Sequence, residues 1–152
     1  MVGHSTSTMY KLYYKLLLLL GNIKKLFFIS QYSAGKNFHL YAMGGIVGKK
    51  KKIIIGNNVN LYGWLISDGG TIVVHDNVHI HPGTVIRSMN YIEIGKYCDI
   101  GGESYIQDHN SESLNYLDRR EQKGTILNAP IKIGNDVWIG RRVAIFKGVT
   151  IG

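Results

Sequence analysis

Residues 133–150 read as three consecutive blocks of six: Ile133-Gly134-Asn135-Asp136-Val137-Trp138, Ile139-Gly140-Arg141-Arg142-Val143-Ala144 and Ile145-Phe146-Lys147-Gly148-Val149-Thr150. Each block opens on Ile and returns to Val four places later. Neither the helical period of 3.6 nor strand alternation of two produces this beat. A period of six, taken in threes, describes a β-solenoid. Each block forms one side of a triangular coil, and its two inward residues stack on those of the next coil. The pattern predicts Ile133, Val137, Ile139, Val143, Ile145 and Val149 inward and Trp138 outward. Glycine after the opening aliphatic, as at Gly134 and Gly140, is expected at a tight corner, where its tolerance of unusual φ/ψ would serve.

The same beat runs through earlier residues. Ile55-Gly56-Asn57-Asn58-Val59 repeats it, followed by Leu61 and Leu65. Val74, Val78, Ile80, Thr84 and Ile86 make another coil, and Ile94, Cys98, Ile100, Ser104 and Ile106 the next. Ile55 to Val74 is 19 residues and Val74 to Ile94 is 20, whereas Ile94 to Ile133 is 39. The longer step contains extra chain. Asp108 to Pro130 has no repeat and is polar, so it is predicted to leave the solenoid as a long loop, the usual place for chemistry on a regular scaffold. Domain organisation follows: 1–48 as an N-terminal amphipathic helix and connection, 49–152 as the solenoid with its 108–130 loop. Residues 30–48 carry no readable pattern.

Leu12, Leu16, Leu19, Ile23 and Leu26 share one face of a predicted N-terminal helix, and Lys11, Lys15, Asn22 and Lys25 another. Ser7 or Thr8 is a candidate cap, and Gly21 costs the helix about 1 kcal/mol relative to Ala. Lys15, Lys24 and Lys25 interrupt the segment too often for a spanning helix. Two placements remain open: packing on the solenoid end or another subunit, or lying on a membrane surface. The net charge of +8 favours acidic partners. The run Lys49–Lys52 is read mainly as a solvated solenoid end, and no nucleic-acid motif accompanies it. The single Cys98 excludes an internal disulfide framework and fits a reducing compartment. It lies on an inward position, as a small core residue would.

The hexads of Ile53–Gly152, the polar loop, Ala129-Pro130 and Val137-Trp138-Ile139-Gly140 together resemble the hexapeptide-repeat acyltransferases. The nearest branch is the maltose, galactoside and surface-polysaccharide O-acetyltransferases. The resemblance implies an all-β fold: a left-handed parallel β-helix, an exception to the right-handed crossover rule, with an N-terminal helix and one long inserted loop. It implies a homotrimer with active sites between subunits. It also implies transfer of acetyl from acetyl-CoA to a hydroxyl of a sugar or glycan, as in surface-polysaccharide biosynthesis. The chain is read as cytoplasmic, and the N-terminal helix leaves open a peripheral contact with the inner face of the membrane. A loop histidine would act as general base, a task that suits its near-neutral pKa.

Carried over residue by residue, Ser113-Leu114 and Asp118-Arg119 match the family's loop and put Glu112 where its histidine is expected. His109 lies three residues upstream. Three readings stay open: His109 is the base, Glu112 is a weaker base, or the base is lost and the chain is a non-catalytic binding or scaffold protein. Asp108 and Asn110 would orient His109 or line the acceptor pocket, or serve as loop-capping Asx turns. His81 is the further acceptor-side candidate. Trp138, Gly140, Arg141 and Lys147 fall on the coils that face CoA in the family. Members continue for further coils beyond Gly-Val-Thr-Ile-Gly, so the β-helix is expected to be truncated at its C-terminal end. Trimeric β-helix carbonic anhydrases hold zinc with three histidines. A metal-dependent lyase of that type is the minor alternative, but the spacing of His75, His79, His81 and His109 fits such a set poorly, so no metal is expected.

Overall fold

The computed structural model describes residues 4–49 and 51–152, so Lys50 of the lysine run lies outside the described residues. Helix α1 spans His4–Phe28. Strands β1 (Ser33–Ala34), β2 (His39–Leu40) and β3 (Gly45–Val47) follow, then β4 (Ile53–Ile55), β5 (Asn60–Leu61) and β6 (Trp64–Ser67). Next come β7 (Thr71–Val74), β8 (His79–Ile80), β9 (Val85–Ser88), β10 (Tyr91–Ile94), β11 (Asp99–Ile100) and β12 (Tyr105–Gln107). After α2 (Tyr116–Arg120) the chain returns as β13 (Ile131–Ile133), β14 (Trp138–Ile139), β15 (Ala144–Phe146) and β16 (Thr150–Ile151).

Every third strand is a neighbour, and every pairing is parallel. One sheet runs β1-β4-β7-β10-β13-β16, the second β2-β5-β8-β11-β14, the third β3-β6-β9-β12-β15. This is the predicted parallel β-solenoid, with three sides per coil and the first side of a sixth coil in β16. The inward residues form columns. Ile55, Val74, Ile94, Ile133 and Ile151 stack in register on one side. Leu40, Leu61, Ile80, Ile100 and Ile139 stack on the second, and Ile46, Leu65, Ile86, Ile106 and Ile145 on the third. Each fully buried Ile or Leu contributes about 1.5–3 kcal/mol of transfer free energy. The columns therefore supply the driving force, and the ladders fix the register.

Three expectations are corrected. Residues 33–47, unreadable in the sequence, form the first coil. Leu40 and Ile46 continue the columns, but aromatic Tyr32 and Phe38 fill the places that Ile53 and Val59 take in the next coil. The hexad glycines do not carry the left-handed backbone at the corners. Asn58, Tyr97 and Asp136, two residues after Gly56, Gly95 and Gly134, do so, with φ of 55°, 60° and 58°. The glycines serve close approach between coils: a Cβ on Gly95 would stand 2.4 Å from the Gly134 carbonyl oxygen, and one on Gly56 2.6 Å from Asp76 Oδ1. Along 133–150, Ile133, Ile139 and Ile145 are buried and Val137 and Val143 pack partly against them, but Val149 is exposed. Cys98 is buried and its thiol donates to Gly134 O at 3.0 Å; burial pushes its pKa up.

Helix α1 begins before Ser7 and Thr8, so neither is its first-turn cap. It docks on the first coil through a face that the pattern of leucines did not predict. Gly21 is buried there, and a Cβ on it would lie 1.8 Å from Leu40 O. Ala42 N–H donates to Leu17 O at 3.0 Å. Lys24 Nζ donates to Ala42 O at 2.9 Å and to Gly44 O at 2.8 Å, and Lys25 Nζ donates to Phe38 O. Leu12, Leu16, Leu19, Ile23 and Leu26 consequently face away from the coil and are exposed.

Candidate functional site

The loop that leaves β12 is tied down at its root. The Asp108 carboxylate is fully buried and accepts three hydrogen bonds: from Ser88 Oγ at 2.6 Å, Met89 N at 2.8 Å and Asn90 N at 2.9 Å. It clamps the β9–β10 turn, and its oxygens are engaged there rather than offered to a substrate. The two legs of the loop pair in antiparallel fashion between His109 and Asn128. Asn110 N–H donates to Leu127 O at 2.8 Å and Ala129 N–H to Asp108 O at 2.9 Å. Gln107 Nε2 donates to His109 O at 2.6 Å and to Ser111 Oγ at 3.2 Å. Gln107 and Asn128 were not legible as site-building residues, because both act through pairing that only the returned loop creates.

His109 is held inside this root, 4% exposed. Its Nδ1 lies 2.9 Å from Asn110 O, a contact that requires the proton on Nδ1. Nε2, which carries the lone pair in the neutral imidazole, has no hydrogen-bond partner among the described residues. The nearest carboxylate oxygen, Asp68 Oδ2, stands at 3.7 Å and is already bonded to Arg87 Nε. A buried acceptor left open is costly, and an imidazole whose far nitrogen is anchored to a carbonyl is the form a general base takes.

Glu112 is not brought to His109's side. It is exposed and lines the loop's own shallow cleft with Ser113, Lys123 and Gly124. The loop tip is the short helix α2, capped by Asn115, whose Oδ1 accepts from Leu117 N at 2.9 Å. Arg119 Nη1 donates to Ser113 O and Leu114 O, each at 3.0 Å, joining the two sequence landmarks of the loop.

A second feature lies on the outer face at the corner after β11 and β14. His81, Pro82, Asp99, Glu103, Trp138 and Arg141 line a cavity of about 480 Å³ there. Trp138 is 79% exposed, pointing outward as its hexad position predicts. His81 Nε2 meets Asp99 Oδ1 at 2.8 Å. Glu103 binds both Arg141 and Arg142, the latter at 2.7 Å, and these hydrogen bonds hold its carboxyl below the usual range. A Cβ at Gly140 would meet nothing within 4 Å, so the backbone beside the cavity is open. Lys147 is half-buried just past β15. Glu103, not singled out from the sequence, sets the posture of both arginines; its position just after a corner was the available signal.

His75, His79 and His81 do not converge. They contact Glu93, Asn60 and Asp99 respectively, and no group of three metal-ligating side chains comes together among the described residues.

Over 89 residues the chain is 29% identical to a protein of Escherichia coli K12 named as the lipopolysaccharide biosynthesis O-acetyl transferase WbbJ, covering 55% of this chain and 45% of that one. Over 94 residues it is 32% identical to a protein of Mycobacterium tuberculosis named as the acetyltransferase Rv3034c, covering 57% of this chain and 31% of that one. The chain thus spans less than half the length of these curated relatives. No family model matches it, and no solved structure does. The parallel solenoid and the two named acetyltransferases fit the hexapeptide-repeat acyltransferases.

Proposed function

We propose that this chain forms the catalytic β-helix of an acetyl-CoA-dependent O-acetyltransferase acting on a sugar hydroxyl. The observation that carries the reading is His109: its Nδ1 is bound to a carbonyl and its Nε2 lone pair is open. In the proposed reaction Nε2 takes the hydroxyl proton as that oxygen attacks the thioester carbonyl. The C–S bond of the tetrahedral intermediate then breaks, the acetyl group stays on the sugar oxygen, and the departing thiolate takes the proton from His109. Because Nε2 is shielded, the acceptor reaches it only after the loop root opens, and geometry in the unliganded protein does not decide against a base.

The Trp138 cavity suits the donor. Trp138 offers an apolar wall for the pantetheine arm, Gly140 leaves backbone accessible, and Arg141 supplies charge for phosphates, while Lys147 lies outside the lining of this cavity. Asn110 remains on the acceptor side, whereas His81 lines the same cavity as Trp138. His109 and Trp138 belong to different faces of the coil. A homotrimer in which His109 of one copy faces Trp138 or Arg141 of the next brings them together, and cyclic closure ends the assembly. The free, buried Cys98 suits a reducing cytoplasm, where acetyl-CoA is made.

The test is release of free thiol from acetyl-CoA over a panel of sugars, with sedimentation of the same sample. A trimer that releases thiol with one sugar class and loses this in His109→Ala supports the reading. A trimer that binds no acetyl-CoA refutes it in favour of a scaffold, and a stable monomer at micromolar concentration refutes the shared site.

A further inference from the structure

The N-terminal helix is docked the opposite way from an ordinary amphipathic helix. Its lysines 24 and 25 turn inward onto backbone carbonyls of the first coil, while its leucines turn outward. On the outward arc the apolar side chains from Leu12 to Phe27 are 46–76% exposed, and Leu12, Leu16, Leu19, Ile23 and Leu26 form its centre. Solvent-exposed apolar surface of this extent marks an interaction site.

The occupant is decided by charge. Helix α1 contains no Asp or Glu along its 25 residues. Lys11 and Lys15 flank the apolar arc on one side, both exposed. Lys49 and Lys51, also exposed, follow β3, a strand that α1 touches, and add to the same end of the solenoid. A second copy of this helix would bring lysines to lysines with no carboxylate between them. An anionic bilayer supplies the missing charge and takes the leucines as well. No helix among the described residues is long and apolar enough to cross a membrane, so the helix would lie in the surface plane.

We infer that α1 is a membrane-surface anchor, with the Leu12–Leu16–Leu19–Ile23–Leu26 face at the headgroup–acyl boundary of an anionic leaflet. Lys11 and Lys15 reach the lipid phosphates from its edge, their stems lying along the apolar arc. The docked Gly21 face holds the solenoid rigidly above the surface. The inference is independent of acetyl transfer, since vesicle binding is read without acetyl-CoA.

The experiment is flotation of the full chain with unilamellar vesicles of phosphatidylcholine alone or mixed with phosphatidylglycerol. The wild type is expected to float with the mixed vesicles and to partition at least ten-fold less onto the neutral ones. Lys11→Ala with Lys15→Ala is expected to weaken binding roughly 25-fold, from about five-fold per lysine at an anionic surface. Leu16→Glu, Leu19→Glu and Ile23→Glu together are expected to leave the protein at the bottom of the gradient with an unchanged unfolding midpoint, because all three positions are exposed. Wild type that stays at the bottom with mixed vesicles overturns the inference. So does a triple variant that floats, or wild type that forms, without lipid, a larger assembly than the triple variant does, which would assign the face to a second copy. If the triple variant does not fold, the lysine pair decides, and undiminished binding there overturns the inference.

Discussion

Replacing Gly21 by Ala sets two effects of opposite sign against each other. Alanine in a helix interior is favoured over glycine by about 1 kcal/mol, so the isolated helix would gain. In the folded protein the new Cβ would lie 1.8 Å from Leu40 O and 2.9 Å from Tyr41 Cα. Both are backbone atoms of the first coil and cannot rotate away. Ordinary contact needs about 3.5 Å, so α1 must retreat by roughly 1.7 Å. The Ala42 N–H to Leu17 O bond, now 3.0 Å, then leaves hydrogen-bonding range. Its loss costs about 1 kcal/mol, or up to about 3 if the amide stays buried and open. The Lys24 bonds are discounted, because a flexible side chain can follow a retreating helix. Looser packing of Leu17, Leu18 and Phe28 adds about 1 kcal/mol more. The sum, about 2–4 kcal/mol, exceeds the propensity gain, leaving α1 undocked by about 1–3 kcal/mol. At about 1.4 kcal/mol per factor of ten, the open population rises roughly 5- to 150-fold. Amide hydrogen exchange at Ala42 reports this directly, with Asn22→Ala as a control that touches no coil. Exchange at Ala42 that is unchanged or slower in Gly21→Ala would refute the close-approach reasoning; amides of the central coils should keep their protection, since each coil contacts only its neighbours.

His109→Ala is expected to lower kcat by about 10²–10⁴-fold with the KM for acetyl-CoA little changed, while Glu112→Gln stays near wild type; steady-state kinetics showing the reverse would move the base to Glu112. Trp138→Ala should leave the unfolding free energy within about 0.5 kcal/mol of wild type, because the ring is exposed, yet raise the KM for acetyl-CoA. An unchanged KM would remove Trp138 from the donor groove. The hydrogen bond from His75 holds the Glu93 carboxyl below its usual value. A carboxyl depressed in the folded state stabilises the fold above its unfolded pKa of about 4.3 and loses that contribution as pH falls through the folded value. Urea unfolding across acid pH should accordingly show a shallower fall in Glu93→Gln than in wild type.

The coils from Ile53 onward were legible because a column residue every six places is a property of one coil repeated. The first coil was not, because Tyr32 and Phe38, packed edge to face, stand where later coils carry aliphatic residues, which hides the step from Leu40 to Ile46. The orientation of α1 was illegible for a related reason. Helical spacing says which residues share a face, but not which face wins a contest between leucines and two lysines, Lys24 offered carbonyls at 2.8 and 2.9 Å and Lys25 the Phe38 carbonyl. The roles of the corner residues were misassigned because glycine has two uses, positive φ and close approach, and sequence does not distinguish them. At the site, the outward Trp138 followed from its hexad position. The burial of His109 and the consumption of Asp108 by the β9–β10 turn did not, since both depend on where a 23-residue loop returns.

The way that loop returns has a consequence for how such a chain can change in length. Beyond it, Tyr105, Ile106 and Gln107 still sit opposite Ala144, Ile145 and Phe146, in the same columns that hold Val85, Ile86 and Arg87 on their other side. At the first corner of the first three coils Asn37 Nδ2 donates to Asn58 Oδ1, and Asn58 Nδ2 to Asn77 Oδ1, both at 3.0 Å. Such a chain of amides tolerates only whole steps. Length is therefore constrained within the strands: a residue inserted inside a strand would turn over the rest of that strand, whereas a residue at a corner, a complete coil, or a corner excursion of any size that rejoins its column leaves the columns intact, as coils of 19 and 20 residues already do. Deletion scanning should find this protein intolerant within strands and permissive at corners and turn by turn.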